Sequence, residues 1–147
     1  MFIDVLLRVS DAQALTATAV SEDSIDLGDV TPKRKVGTGE PMGFGLAVDV
    51  ALAGTTPTFN VEVISATNGA LTAGIIVHAQ YTKTQAEMIA GALFFLAIPQ
   101  GTPTQRFVGL RYNLGGTTPT VTVTSWLTAH DLFSIAAESY AKGYVIS

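Results

Sequence analysis

The chain has 147 residues, 14% charged and 48% hydrophobic, with a formal net charge of −4 and no cysteine. That length fits one domain burying roughly two-thirds of its unfolded surface, while the missing thiols exclude disulfides and thiolate metal sites. The acidic balance argues against non-specific nucleic-acid binding, which needs clustered Lys and Arg.

In chain order, Thr16–Val20 is β-branched and alternating, Ser24–Leu27 reads as a short strand, and Gly28–Pro41 collects Gly, Pro and charge as a long loop. That loop holds the basic cluster Lys33, Arg34 and Lys35, a solvated run with the means to dock on an acidic neighbour. Phe44, Leu46, Val48, Val50 and Leu52 alternate with small or polar residues, the period of a strand with one buried face. Phe59, Val61 and Val63 continue the alternation, Asn68-Gly69 is a turn dipeptide, and Gly74–Gln80 is the next strand. Thr84 is placed to cap a single helical turn carrying Glu87 and Met88, ended by Gly91. Leu93–Ile98 is a continuous apolar strand, buried on both faces or lying at an interface. Phe107–Leu114 and Thr120–Leu127 complete eight strands, the pattern of an antiparallel sandwich or barrel. Asp131–Lys142 changes period: Leu132, Phe133, Ala136, Ala137 and Tyr140 recur at helical spacing, so residues 131–147 read as a C-terminal helix or arm beyond a domain of residues 1–130.

The phrase Gly-Thr-Thr-Pro-Thr occurs twice, at Gly54–Thr58 and 62 positions later at Gly116–Thr120. Its flanks match as well: Val48, Val50, Leu52, Phe59 and Val61 superpose on Leu110, Tyr112, Leu114, Val121 and Val123. Gly and Pro in each copy predict a turn that ends the pairing ladder. In an eight-stranded jelly roll, two such connections share one end of the sandwich.

No constellation for chemistry emerges. His78 sits inside an apolar strand and reads as a hydrogen-bonded wall residue, and His130-Asp131 as a cap; a zinc site needs about four ligands. No serine occupies a Gly-x-Ser-x-Gly elbow, and Glu22, Asp23, Asp26 and Asp29 lack calcium-loop spacing. Glu40, Asp49, Glu62 and Glu87 supply carboxylates without a pattern, and the glycines of Gly37–Gly45 do not open a helix, so nucleotide binding is not expected. Trp126 with Tyr112 is a candidate sugar-stacking platform. The expectation is a protein with no enzymatic activity and no cofactor or metal. The longest apolar stretch, Ala90–Ile98, is too short for a bilayer, and the N-terminus lacks a secretory pattern, so neither membrane nor export is expected.

Leu7-Arg-Val-Ser-Asp11-Ala-Gln-Ala-Leu-Thr16-Ala-Thr18, Ser24-Ile-Asp26-Leu-Gly28, Gly39-Glu-Pro-Met and Arg106-Phe-Val-Gly-Leu-Arg-Tyr112 carry a resemblance, together with the Thr-rich strand ending at Trp126. In their order they resemble the capsid cement, or decoration, proteins of tailed phages of the Bordetella-phage type. The resemblance implies a jelly-roll subunit, a homodimer by preference, made in the bacterial cytoplasm. It would sit on the outer surface of an icosahedral head, tying major capsid subunits together. The expected contact set is Lys33, Arg34, Lys35, Thr55, Thr56, Pro57, Thr58, Thr117, Thr118, Pro119 and Thr120. The expected subunit interface is Leu93, Phe94, Phe95, Leu96, Phe133 and Tyr140. The competing class is a carbohydrate-binding sandwich on a virion surface.

Overall fold

A computed structural model describes residues 7–28, 42–99 and 105–129. They form an all-β fold, one antiparallel sheet of seven strands. The strands are β1 (Arg8–Leu15), β2 (Ala19–Val20), β3 (Ile25–Asp26), β4 (Met42–Ala66), β5 (Ile76–Lys83), β6 (Leu93–Ala97) and β7 (Phe107–Ala129). The expected eight become seven for a physical reason. Each repeated phrase lies inside a strand rather than between two, giving β4 its 25 residues and β7 its 23, while Arg8–Leu15 adds a strand the alternation did not mark. The Thr–Pro phrases therefore do not end the ladder; both strands turn through them together. The expected C-terminal helix lies outside the described residues.

β4 and β7 pair along almost their whole length, from Met42↔Ala129 to Ala66↔Phe107. Before the phrase, β4 lies between β6 and the later part of β7, with β1 beyond; after it, β4 lies between β5 and the earlier part of β7, with β2 and β3 beyond. One apolar cluster draws Phe44, Leu46 and Val48 from the first half and Phe59, Val61, Val63 and Leu110 from the second. The sheet thus folds over at its middle and closes on its own apolar face, each large aliphatic side chain contributing about 1.5–3 kcal/mol by leaving water.

Register shifts in the β4–β7 ladder concentrate at the bend, between Val48 and Thr58. Such bulges bend a strand and increase its twist. Gly54 and Gly116 have φ of 128° and 97° there. A Cβ on Gly54 would lie 2.9 Å from the carbonyl oxygens of both Thr117 and Thr118; one on Gly116 would lie 2.6 Å from that of Thr56 and 2.9 Å from that of Thr55. Each glycine exists so that the opposite backbone can approach.

The segment Thr84–Ala92 behaves as its sequence indicates. Thr84 and Glu87 cap each other reciprocally, Met88 N–H bonds the Thr84 carbonyl, and Met88 is fully buried. Leu52 N–H donates to the Met88 carbonyl and Val48 N–H to that of Ala92, so this turn covers the edge of β4 where β6 stops. The Asn68-Gly69 turn is longer than a tight hairpin: the Asn68 side chain accepts from the N–H groups of Thr72 and Ala73, organising the connection from β4 to β5.

Between the halves runs a buried polar chain. Tyr112, in the second half, has its hydroxyl 2.8 Å from Ser10 Oγ and 2.7 Å from Ser125 Oγ, both in the first half. Ser10 donates to Gln13 Oε1, and Gln13 Nε2 donates to the Val20 carbonyl. With one proton per hydroxyl, the order is fixed: Ser125 donates to Tyr112, Tyr112 to Ser10, and Ser10 to Gln13. Burial pushes the Tyr112 phenol up to about 12, outweighing the lowering by its serine partners.

Gly54→Ala and Gly116→Ala each lower unfolding free energy by about 2 kcal/mol or more, read by urea denaturation. Tyr112 disfavours its anion in the folded state, so its contribution is complete below pH 10 and is lost as pH rises toward 12. Tyr112→Phe costs about 1–3 kcal/mol at neutral pH, and it flattens the alkaline fall in stability seen by titrated denaturation.

Candidate functional site

Threonine suits a strand that is both paired and wet, because its branched Cβ fits the pleat and its hydroxyl both donates and accepts. The fold brings the two threonine phrases side by side. Thr55 pairs with Thr117, its own equivalent in the repeat, and the flanking pairs Ala53↔Thr120 and Thr58↔Gly115 exchange under the same 62-residue shift. A local two-fold axis therefore passes through the Thr55–Thr117 pair. Symmetry extends to the backbone, with φ of 46° at Thr56 and 47° at Thr118. Left-handed threonines are outliers costing on the order of 1–3 kcal/mol each. Identical phrases are thus required by identical geometry.

Thr55, Thr56, Thr58, Thr117, Thr118 and Thr120 are all exposed, with Pro57 and Pro119 partly so. No charged residue occurs from Val50 to Val61 or from Tyr112 to Ala129. On the second-half side the flank is polar without charge, where Asn113 Nδ2 donates to Asn60 Oδ1 at 3.2 Å, Asn60 Nδ2 to Thr82 Oγ1 at 2.9 Å, and Thr18 bonds the backbone of Leu114; charge begins at Asp49 and at the Lys83–Glu87 pair. Val50 and Ile89 are 56% and 57% exposed, on segments joined by the Val48–Ala92 and Leu52–Met88 backbone bonds. The result is a neutral surface of hydroxyls and amides with an apolar margin, suited to hydrogen bonding and dry contact with another protein. Sequence reading missed Asn60, Asn113 and Ile89 and set Val50 on the buried face of its strand, which the register shifts on either side of it overturn; the Asn pair is visible only once β4 and β7 are known to be neighbours.

The other sequence candidates fall elsewhere. Leu93, Phe94 and Phe95 on β6 are half-buried, Leu96 is fully buried, and Lys83 Nζ lies 4.5 Å from the centre of the Phe94 ring. Lys33, Arg34, Lys35, Phe133 and Tyr140 lie outside the described residues. The sugar platform is corrected: Tyr112 is fully buried and Trp126 is 3% exposed, its indole seated over Gly45, so neither ring face meets solvent. Trp126 lies on the face of the sheet opposite to Ser125 and the core cluster, packed over Gly45, which has no side chain to hold it off.

Several of the candidate carboxylates are individually engaged. Glu62 is buried and pairs with Arg111, Asp49 accepts from Thr124 at 2.6 Å, and Glu87 serves the Thr84 cap. Asp26 binds Arg106 through both oxygens at 2.9 and 3.0 Å and accepts from Gly28 N–H; the Arg106 bonds, then that of Gly28, hold its carboxyl below the ordinary value. His78 bonds Ser65, and burial lowers its pKa. Among the described residues no group of three His, Cys, Asp or Glu is placed to hold a metal ion, and no helix is long and apolar enough to cross a membrane.

A family model, Bbp16, matches residues 9–126. The chain belongs to the Bbp16 family, a Bordetella phage protein family. No curated protein matches it.

Thr118→Asn relieves the left-handed threonine, since Asn tolerates that conformation, and raises unfolding free energy by roughly 0.5–1 kcal/mol in urea denaturation.

Proposed function

We propose that this member of the Bbp16 family is a capsid cement protein that binds the outer surface of an icosahedral phage head and stabilises contacts between major capsid subunits. Family membership supports a phage structural protein. The observation that carries the finer reading is the neutral, exposed threonine surface built symmetrically on the two longest strands.

In this reading the two halves of the folded sheet are the two layers of a jelly roll, and the bend is the end that meets the shell. A DNA-filled head is under outward load. A small stiff subunit touching several neighbours resists it through many weak contacts held at once, because each contact made raises the effective concentration of the next. The protein acts as a homodimer with no catalytic role and no cofactor, in contact with the major capsid protein rather than with nucleic acid. Hydroxyls serve such a surface better than charges do, since hydrogen bonds to a protein neighbour are directional and little screened by salt. Burial of Tyr112 and Trp126 leaves the sugar-binding alternative without its two rings.

Purified protein added to expanded heads that lack it binds them and restores resistance to heat and to loss of DNA. Thr55→Asp with Thr117→Asp places two charges on the local axis and weakens that binding by tenfold or more, about 1.4 kcal/mol, with the fold retained by circular dichroism. Unchanged binding by the double variant removes the bend from the contact set. Failure of the unmodified protein to bind any head removes the cement role.

A further inference from the structure

At the far end of the second half from the threonine bend, one buried polar atom has no partner among the described residues: Nδ1 of His78. His78 is the extra residue of a bulge, since Val63 pairs with Ala79 but Ile64 with Val77. The bulge turns the imidazole toward β4, where Nε2 lies 2.7 Å from Ser65 Oγ. Ser65 is fully buried and its Oγ also accepts the Gln105 N–H at 3.1 Å. Ser65 therefore ties together the start of β5 and the residue that leads into β7.

The hydrogen count selects one arrangement. If Ser65 donates to Nε2, one buried group, the Nδ1–H, goes unpaired. If Nε2 donates instead, both the serine proton and the Nδ1 lone pair go unpaired. The first is favoured, and it requires a neutral ring with Nε2 as acceptor. Protonation at Nε2 turns it from acceptor into donor, so the bond to Ser65 Oγ must reverse, the buried serine proton loses its partner and a charge enters a half-buried site.

We propose that the His78–Ser65 bond is a pH-sensitive latch that holds the start of β5 and Gln105 in place at neutral pH and loosens its hold in mild acid. The charged groups on the elements around it do not offset the new charge. Glu62 of β4 is bonded to Arg111, Arg106 beside Gln105 to Asp26, and Lys83 of β5 to Glu87, while residues 67–75 carry no charge. Burial alone accounts for the lowered pKa of the ring. The sign follows: the unfolded or opened state takes up the proton first, so closure is fully favoured above about pH 6.5 and weakens as pH falls through the folded-state pKa. What opens is limited, because β4 and β7 remain paired to each other beyond Ser65. The site is about 20 Å along β4 from Thr58, so the latch is independent of what the bend binds.

The test is amide hydrogen exchange on the full chain between about pH 7 and about pH 5, corrected for intrinsic exchange, with His78 titrated by NMR. A His130→Gln variant assigns the second histidine. Protection of the Gln105 and Val77 amides falls relative to Leu110, about tenfold for each unit by which the His78 pKa is depressed, and His78→Gln abolishes the pH dependence. Ser65→Ala, in which the tie is absent at every pH, lowers Gln105 protection without pH dependence and keeps the question decidable should His78→Gln not fold. A His78 pKa at or above 6.5, or the same pH dependence in either variant, overturns the latch.

Discussion

The structure depends on two backbones passing close to each other while both turn. β4 and β7 are the only strands that belong to both halves of the sheet among the described residues, and they cross from one half to the other at the same point. If one strand bent without the other, the ladder between them would be lost and the halves would have no common apolar face. Requirements on the two chains at that point are therefore mutual: Gly54 makes room for Thr117 and Thr118, and Gly116 makes room for Thr55 and Thr56. The core, the Tyr112 chain and the neutral surface all presuppose this shared bend.

Much of this was legible in the sequence. Period-two alternation placed the strand stretches around Phe44–Leu52, Phe59–Val63, Phe107–Leu114 and Thr120–Leu127, because a sheet with one buried face writes itself into residue order. The repeat marked the bend. What it did not reveal was that the chain stays hydrogen-bonded through it. Gly and Pro weaken a ladder in isolation, and only the presence of an identically distorted partner lets pairing resume at Thr55↔Thr117 and Thr58↔Gly115. β1 was unmarked for a similar reason: its pairing with β7 is irregular between Arg8 and Gln13, so its buried positions do not alternate strictly.

The candidate surface was half legible. Its threonines could be named from the repeat, but their exposure and apposition are tertiary facts, as is the pairing of Asn60 with Asn113. Trp126 and Tyr112 show the opposite error. Aromatic rings on a strand carry no sign of which side they face until their neighbours are known, and here one lies over Gly45 and the other is enclosed by Ser10 and Ser125. The polar groups kept inside this core join its two layers, whereas the groups that face outward at the bend are neutral. Charged groups elsewhere meet in pairs such as Arg106–Asp26, Lys83–Glu87 and, within the long strands, Glu62–Arg111.

β7 pairs with β1, β2, β3 and β4, while β5 and β6 reach it only through β4. Chain order gives this arrangement a temporal meaning. As the polypeptide leaves the ribosome, β1 to β3 have no strand to pair with until Phe107 and the residues after it have been made. Long-range strand pairing closes large loops and is slow for that reason. The nascent chain therefore commits to its fold only once β7 has been made, and the threonine surface, which needs both long strands, comes into being with that pairing.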